Sequence, residues 1–456
     1  MSLKKKVMSI PGYNELVKPV HFARAVVAGV KYKFPARGLK VIGVTGTNGK
    51  TSTCFYIWKM LNENGRKAGI MTTVAWGYKR LKPELNHMTT VDSMTLNKRI
   101  RKIREMGAEY LVLEVTSHAM EQFRTLGVPV EVAVFTNLTH EHLDYHKTME
   151  NYRRAKCKLF RKAKFGVINA DDKNSRAFIK ASNEYITYGI KNGKLRAKKA
   201  KFGVNGGEYV CDDMKIKTWL PGEFNVYNSL AAVAVGRRLG LSNEEIERGI
   251  LALESVEGRM TRVDEGQDFA VIVDYAHTPD ALEKVFRTLG EVSGRVISVH
   301  GGAGRRDETT RADRGEILAR NSDIVIITED DSRDENPEKI AQQFVEGAKK
   351  GGKIEGRDLA VNLDREEAIR AAIKLAKRGD VVLLLGKGHE KSILRADGAH
   401  EFEDIKVARK YLRERGREDA LKKEAAERAK KLRDEVERKE AERKRKEEDG
   451  YGNITE

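Results

Sequence analysis

The chain has 456 residues, of which 40% are hydrophobic and 34% charged, and its formal net charge is +18. At roughly 100–200 residues per domain, this length predicts two to four domains and excludes a single small one. The apolar content excludes a chain dominated by disorder, and the positive charge suits an anionic partner such as a nucleotide, a nucleic acid or an acidic membrane surface.

The cysteines Cys54, Cys157 and Cys211 are far apart and form no CxxC pair, which argues against a disulfide framework and against a zinc site. No apolar run approaches the ~18 residues that a membrane-spanning helix needs, and the start of the chain lacks a signal-peptide pattern. We therefore expect a cytoplasmic protein.

The first predicted element is a basic N-terminal segment over residues 1–39. Its middle, residues 20–34, mixes apolar and cationic side chains at helical spacing, so it could make a peripheral membrane contact on an anionic surface. We favour the simpler alternative, a helix packed on the next domain, because most amphipathic helices face a core.

From residue 40 onward, β-type apolar runs alternate with helical stretches, which is typical of an α/β fold with a mostly parallel sheet. One series predicts a central domain over residues 40–257, and a second predicts a C-terminal Rossmann-like α/β domain over residues 258–410. Residues 411–456 are rich in Lys, Arg, Glu and Ala and predict a charged helical tail. The tail's nearly balanced charge argues against a tail dedicated to nucleic-acid binding. The predicted strands are 40–44, 110–115, 130–136, 165–169, 269–274, 295–300, 324–328 and 381–385.

The most informative segment is Val41–Ser52, in which a β-like run enters the loop Thr-Gly-Thr-Asn-Gly-Lys-Thr and leaves through a helix. Glycines let backbone N–H groups turn toward phosphate oxygens, and the helix N-terminus adds partial positive charge. Lys50 is predicted to contact the β- and γ-phosphates of ATP and Thr51 a magnesium ion. The predicted ATP-binding residues of this loop are Gly46, Thr47, Asn48, Gly49, Lys50, Thr51 and Ser52.

This loop resembles that of the Mur ligase family, the ATP-dependent enzymes that form the amide bonds of the bacterial cell-wall peptide. Further segments resemble family blocks in the same order, and these are 113–118, 135–146, 155–160, 224–228, 258–260, 274–280 and 386–390. The last two are most similar to the branch that adds the third amino acid. The resemblance implies an enzyme that activates a carboxylate as an acyl phosphate, from which an amine then displaces phosphate.

The resemblance also implies which residues carry the chemistry. Lys50, Lys156, Glu114 and His142 would be catalytic, and Thr51, Glu114, His142 and Lys156 would hold Mg²⁺, with two ions expected. In the family, the lysine at position 156 is carbamylated and so becomes a carboxylate-like metal ligand. Taken without the resemblance, Glu114 would more often be a surface acid, His142 a hydrogen-bonded loop residue and Lys156 a surface lysine.

Three further residues are implied to bind ATP: Asn228 at the adenine, Arg259 at the phosphates upon domain closure, and Asp274 at the ribose. His277 belongs to the same block as Asp274. The alternative for Asp274 and His277 is a turn that is stabilised before Pro279.

The implied partners are small molecules, a nucleotide-sugar peptide and an amino acid, with no nucleic acid. The nucleotide-sugar peptide would be held by Thr89, Thr90, Ser117, Gln122 and Arg124. The incoming amino acid would be held by Arg306, Asp330, Arg333, Gly386 and Glu390. Diaminopimelate-adding enzymes carry Asp-Asn-Pro-Arg where this chain has Asp-Asp-Ser-Arg at 330–333, so a diamino acid is expected while lysine or another amino acid stays open.

Family members of this branch begin with a separate domain for the uridine end of the substrate, and residues 1–39 are too short to form it. We therefore expect the donor to be held differently or to be another substrate. A sister amide ligase, similar to folylpolyglutamate synthase or to enzymes that modify lipid-linked wall precursor, would share the ATP chemistry. A non-catalytic nucleotide-binding protein is a further alternative, which the joint presence of Glu114, His142 and Lys156 disfavours.

Overall fold

The computed structural model describes residues 16–85, 88–306 and 308–451. Its helices are α1 Lys18–Lys31, α2 Lys50–Glu63, α3 Ser93–Glu105, α4 Ser117–Glu121, α5 Leu143–His146, α6 Met149–Lys162, α7 Ser175–Ala181, α8 Glu223–Arg238, α9 Asn243–Leu251, α10 Pro279–Leu289, α11 Arg311–Asn321, α12 Pro337–Lys350, α13 Arg365–Leu375 and α14 Asp404–Tyr451, with a 3₁₀ turn at Glu308–Thr310. The strands of the first half are β1 Lys40–Thr45, β2 Ala68–Met71, β3 Ala75–Tyr78, β4 Arg80–Pro83, β5 Tyr110–Glu114, β6 Val130–Phe135, β7 Ala163–Asn169, β8 Glu184–Gly189, β9 Leu195–Arg196, β10 Lys198–Gly203, β11 Gly206–Cys211 and β12 Met214–Thr218. Those of the second half are β13 Thr261–Val263, β14 Ala270–Asp274, β15 Val296–Gly302, β16 Ile324–Glu329, β17 Leu359–Val361, β18 Val381–Leu385, β19 Ser392–Arg395 and β20 Gly398–Glu401.

The central sheet has the strand order β4-β3-β2-β5-β1-β6-β7-β8-β9, and its neighbouring strands pair in parallel except in the β2–β3 and β3–β4 pairs at one edge. Apolar side chains pack on both of its faces, so β1, β5 and β6 are buried almost throughout. The register of the β1–β5 pair sets Val44 beside Glu114. Glu114 therefore ends its strand next to the loop that follows β1.

A smaller antiparallel sheet, β10-β11-β12, packs against α8. The sequence analysis did not predict it, because β10 has mostly exposed side chains and carries lysines where a half-buried strand would carry apolar residues.

The second large sheet has the order β13-β14-β18-β15-β16-β17, with β13 antiparallel to its neighbour and the other pairs parallel. Asp274 and Leu385 are register partners, so the loops after β14 and β18 leave the sheet at the same edge. The predicted fold class, a mostly parallel central α/β sheet followed by a second α/β unit, is confirmed.

The two ends of the described chain are helical. Helix α1 packs on α3 through its buried face, Ala25, Ala28 and Gly29, as the favoured interpretation predicted. The first turns of α14 bury Ile405 and Leu412 against the second sheet. Among the described residues, no helix combines the length and the apolar character needed to cross a membrane.

Candidate active site

The phosphate loop connects β1 to α2 through positions that only glycine fits. Gly49 has φ +83°, and a Cβ there would lie 2.4 Å from Asn228 Oδ1. A Cβ on Gly46 would lie 1.9 Å from Thr136 Oγ1. The Lys50 ammonium donates to the Thr47 carbonyl at 2.7 Å, so it lies over the loop. This cradle has the shape and charge that a phosphate group requires.

Glu114 and Thr51 meet beneath the loop. Thr51 Oγ1 donates to Glu114 Oε2 at 2.9 Å, and Thr73 donates to the same oxygen through its N–H and its hydroxyl, both at 3.0 Å. Glu114 is only 2% exposed. A hydroxyl and a carboxylate side by side form an oxygen-rich donor set that fits Mg²⁺.

Lys156 reaches the phosphate loop from behind, on α6. Its Nζ donates to the Gly46 carbonyl at 2.7 Å, and the residue is 2% exposed. Burial and the nearby Lys50 ammonium hold the pKa of Lys156 well below its usual range. A buried amine of this kind is available in its neutral, nucleophilic form.

His142 occupies the left-handed position before α5, with φ +58°. Its ring is 4.8 Å from that of His118, centroid to centroid. Burial lowers the pKa of His142, which favours the neutral imidazole that a metal ion requires.

Glu141 is a largely buried carboxylate that the sequence analysis did not single out. Its Oε1 lies 3.3 Å from His277 Nε2 and 3.6 Å from His142 Nε2. Although burial raises its pKa, His142, His277 and Lys50 together hold the pKa of Glu141 well below the usual range. Because His277 follows β14 and Glu141 follows β6, this carboxylate joins the two halves of the chain.

Two more contacts cross between the halves at the same place. Asn48 Nδ2 donates to Asp280 Oδ2 at 2.7 Å, and Arg259 Nη2 donates to Thr51 Oγ1 at 3.2 Å. The guanidinium of Arg259 also lies 4.5 Å from the Tyr275 ring centroid. The phosphate loop is therefore touched by the second half of the chain.

Asp274 and Asn228 are both held within local networks. Asp274 accepts backbone N–H groups from Met260 at 2.7 Å and Ala276 at 2.8 Å, which is the turn-stabilising arrangement. Asn228 accepts from Thr53 Oγ1 at 3.2 Å and donates to Asn225 at 2.9 Å. Their contacts with ribose and adenine stay predictions.

The residues predicted for the acceptor form two groups. Arg124 donates to the Thr90 carbonyl and, through Nε and Nη2, to Gln122 Oε1 at 3.1 and 2.6 Å. Ser117 Oγ instead lies 2.9 Å from His146 Nε2. Thr90 Oγ1 in turn donates to the Glu114 carbonyl at 2.9 Å, which links this set to the metal-binding candidates.

The predicted amino-acid pocket is organised around Lys387, which the sequence analysis quoted in a block but did not assign. Its buried ammonium donates to Asp331 Oδ1 at 2.7 Å and Glu390 Oε2 at 2.5 Å, and lies 3.4 Å from Asp330 Oδ1. Although burial lowers it, these three carboxylates raise the pKa of Lys387. The carboxylates could converge on a metal ion, but the ammonium already stands among them.

One cleft of about 500 Å³ unites most of these residues. Among the predicted site residues, its lining comprises Thr47, Asn48, Gly49, Lys50, Thr51, Ser52, Thr89, Glu114, His142, Asn228, Arg259, Asp274, Arg306, Asp330, Arg333, Gly386 and Glu390. The predicted residues outside that lining are Gly46, Thr90, Ser117, Gln122, Arg124 and Lys156. Of these, Thr90 donates to Glu114 in the lining, and Lys156 donates to Gly46, which directly precedes the lining residue Thr47. Glu141 and His277 also line the cleft.

Two family models match the chain: the Mur ligase middle domain over residues 44–236 and the Mur ligase glutamate ligase domain over residues 258–388. The UDP-N-acetylmuramoyl-L-alanyl-D-glutamate–2,6-diaminopimelate ligase 1 of Clostridium acetobutylicum is 40% identical, over 86% of this chain and 82% of that protein. The UDP-N-acetylmuramoyl-L-alanyl-D-glutamate–2,6-diaminopimelate ligase of Geobacillus kaustophilus is also 40% identical, over 88% of this chain and 84% of that protein.

Two solved structures are also similar to this chain. A UDP-N-acetylmuramoyl-L-alanyl-D-glutamate–2,6-diaminopimelate ligase is 31% identical, with a TM-score of 0.57 over 83% of this chain and 79% of that one. The MurF ligase of Thermotoga maritima in complex with ADP shares the fold, with a TM-score of 0.65 at 22% identity over 87% of this chain and 84% of that one. The chain therefore belongs to the Mur ligase family, whose members are ATP- and Mg²⁺-dependent ligases that form carbon–nitrogen bonds.

Proposed function

We propose that this enzyme adds a diamino acid to the terminal carboxylate of a UDP-N-acetylmuramoyl-dipeptide, in the synthesis of peptidoglycan precursor. The observation that carries the proposal is that the phosphate loop and the ion-paired pocket around Lys387 line the same cleft. The relatives named as diaminopimelate ligases support the choice of substrates. The central unit, residues 40–257, would bind ATP, and residues 258–410 would bring the amino acid.

The phosphate-loop amides and Lys50 would hold the phosphates while the substrate carboxylate attacks the terminal phosphorus. Arg259, already in contact with Thr51, is placed to balance the charge that grows on the transferred group. Asn228 would meet the adenine and Asp274 the ribose. The amine then attacks the acyl carbon, and phosphate leaves with the bonding electrons.

Thr51, Glu114 and His142 would hold Mg²⁺, which supplies positive charge next to the phosphate oxygens. We propose that Lys156 is carbamylated and helps to hold a second ion. Its burial and its lowered pKa support this, because carbon dioxide adds to a neutral amine. Lys156 lies against the loop carbonyl of Gly46, close to where a phosphate-bound ion would be needed.

The acceptor's peptide and diphosphate would lie toward Thr89, Thr90, Ser117, Gln122 and Arg124. Arg124 is already fixed by two contacts to Gln122, so its guanidinium is pre-oriented for an anionic group.

Cationic Arg306 and Arg333 and the carboxylates of Asp330 and Glu390 all line the cleft, and the amino acid would enter among them. This distribution matches an amino acid that carries both carboxylate and ammonium groups. Asp331 lies 3.7 Å from the Arg333 guanidinium and so offsets part of its charge. A diamine with one carboxylate, such as lysine, is therefore accommodated alongside diaminopimelate.

The test is a phosphate-release assay of UDP-N-acetylmuramoyl-dipeptide with diaminopimelate, lysine or ornithine. We expect turnover with at least one diamine, dependent on the dipeptide, and none in Lys50→Ala. Lys59→Ala, on the exposed side of the same helix, is the matched control and should keep activity. Activity that survives Lys50→Ala, or that requires neither the amine nor the dipeptide, contradicts the proposal.

A further inference from the structure

Helix α1 has an apolar stripe that points into solvent. The stripe consists of Val20, Ala23, Val27 and Val30 on the helix and of Leu16 just before it, and these residues recur at alternating spacings of four and three, as on one helical face. Leu16, Val20, Val27 and Val30 are 68%, 50%, 59% and 62% exposed. A stripe of this kind is rare on a solvated helix, because exposing apolar side chains to water is unfavourable.

The stripe is not the face by which the helix packs on the protein, because other residues already make that contact. The opposite face, with Ala25, Ala28 and Gly29, is buried against the body of the protein. At its side, Phe22 packs edge-on against Phe123 at 5.4 Å, and Lys18 pairs with Glu121 at 3.3 Å. These contacts fix the rotation of the helix and leave the stripe outward.

Cationic side chains lie beside the stripe and on the neighbouring helix. The sequence from residue 16 to residue 40 contains no Asp or Glu. Exposed cations in and after α1 are Arg24, Lys31, Lys33, Arg37 and Lys40. The neighbouring helix α3 adds the exposed cations Lys98, Lys102 and Arg104, and also Arg101, which is paired with Glu105 at 2.7 Å. Arg104 Nη1 lies 3.5 Å from the Pro35 carbonyl.

An apolar stripe beside cations favours one kind of partner for this helical face over another. In a dimer of two copies, Arg24 and Lys31 flank the stripe and would meet like charges, which weakens the pairing. A surface that takes apolar side chains and also supplies dense negative charge satisfies the stripe and its cations together. An anionic lipid bilayer has both properties.

We propose that α1 docks this protein on anionic membrane surfaces, with the stripe among the lipid headgroups and the cations of α1 and α3 on the phosphates. The docking face is separate from the cleft, so the proposal is independent of the substrates that the ligase uses. It would bring a ligase of polar substrates to the membrane surface.

The experiment is co-sedimentation of the full chain with phosphatidylcholine vesicles, with and without phosphatidylglycerol. We expect binding only to the vesicles that contain phosphatidylglycerol, and weaker binding as salt rises. The charge variant Arg24→Glu/Lys31→Glu/Lys98→Glu and the stripe variant Val20→Ser/Val27→Ser/Val30→Ser should each lower the bound fraction by about 10-fold or more. Both should keep wild-type ligase turnover, which shows that they fold.

Matched controls make the same chemical changes elsewhere. Lys191→Glu/Lys194→Glu/Lys198→Glu removes three exposed cations beyond the opposite edge of the central sheet, and Val204→Ser/Val361→Ser removes two exposed apolar side chains. Both controls should bind vesicles like the wild type. Equal losses in the controls, or no binding to phosphatidylglycerol vesicles, overturn the proposal. A dimer seen by light scattering, abolished by the stripe variant and accompanied by no vesicle binding, would assign the face to a second copy instead.

Discussion

Glu141 and His277 lie 3.3 Å apart across the two halves of the chain, with the largely buried carboxylate lining the same cleft as the phosphate loop. Replacement by glutamine keeps the size of the side chain but removes its charge. A hydrogen bond to a buried charged group contributes ~1.5–3 kcal/mol, so we expect Glu141→Gln to lower kcat/KM for ATP by about 10-fold or more. Steady-state phosphate release measures this. Glu150→Gln, an exposed acid on α6, is the control, and equal activity in both variants would refute a role for the Glu141 charge.

Carbamylation of Lys156 predicts a specific pattern of loss and rescue. Lys156→Ala should lose nearly all turnover, because no carboxylate-like ligand remains beside the phosphate loop. Acetate or formate should restore part of it by entering the vacated space. Lys158→Ala, two residues along the same helix and paired with Glu121, should stay active without added acid. A fully active Lys156→Ala enzyme would show that the ligand is not needed.

Asp331 should control which diamine is preferred. In Asp331→Asn, Arg333 loses the carboxylate 3.7 Å away and can interact fully with a second carboxylate on the substrate. We expect the ratio of kcat/KM for diaminopimelate to that for lysine to rise by about 10-fold. Competition between the two amino acids in one reaction gives this ratio directly. Asp397→Asn, an exposed acid outside the pocket, should leave it unchanged, and an unaltered ratio in Asp331→Asn would mean that this carboxylate does not select.

His300 predicts how stability depends on pH. It is fully buried, and burial with nearby Arg314 and Arg365 holds its pKa well below 6.5, although a contact with the Leu385 backbone opposes this shift. The unfolded chain binds a proton below pH 6.5 and the folded chain does not, so stability falls as the pH drops below that value. When the free energy of unfolding in urea is measured from pH 6.5 downward, it should fall less steeply with decreasing pH in His300→Phe than in the wild type. His400→Asn, at an exposed position, should not.

The Arg365–Asp404 pair holds the last helix to the second sheet. Both side chains are fully buried, and two hydrogen bonds of 2.8 and 2.7 Å join them. Asp404→Ala leaves an unpaired buried guanidinium and should cost about 3–5 kcal/mol of unfolding free energy. Glu265→Ala, which removes an exposed pair to the same helix, should change little. Thermal and urea unfolding compare the two, and similar stabilities would contradict the argument.

Elements with a strong local signal were predictable from the sequence. The β1–loop–α2 unit combines an apolar run, two glycines in positive-φ positions and a helix start, and it forms where predicted. The central strands after it are continuous apolar runs because both faces of the sheet are covered.

What escaped prediction depends on contacts between distant residues. Glu141 meets a partner 136 positions away, and Lys387 meets Asp331 56 positions away. In the sequence each is one more charged residue in a polar loop, and only the convergence of strand ends buries it. The edge strand β10 was missed for a different reason, since its exposed lysines give no alternating apolar pattern.

The contact between Asn48 and Asp280 has a consequence for the order of events in turnover. The loop that would cradle the nucleotide is itself bonded to the first turn of α10. A spent nucleotide therefore leaves freely only when that bond opens and the two units part. We therefore expect ADP release, rather than amide formation, to be the rate-limiting step of turnover. An initial burst of phosphate release before the steady-state rate would be its kinetic signature.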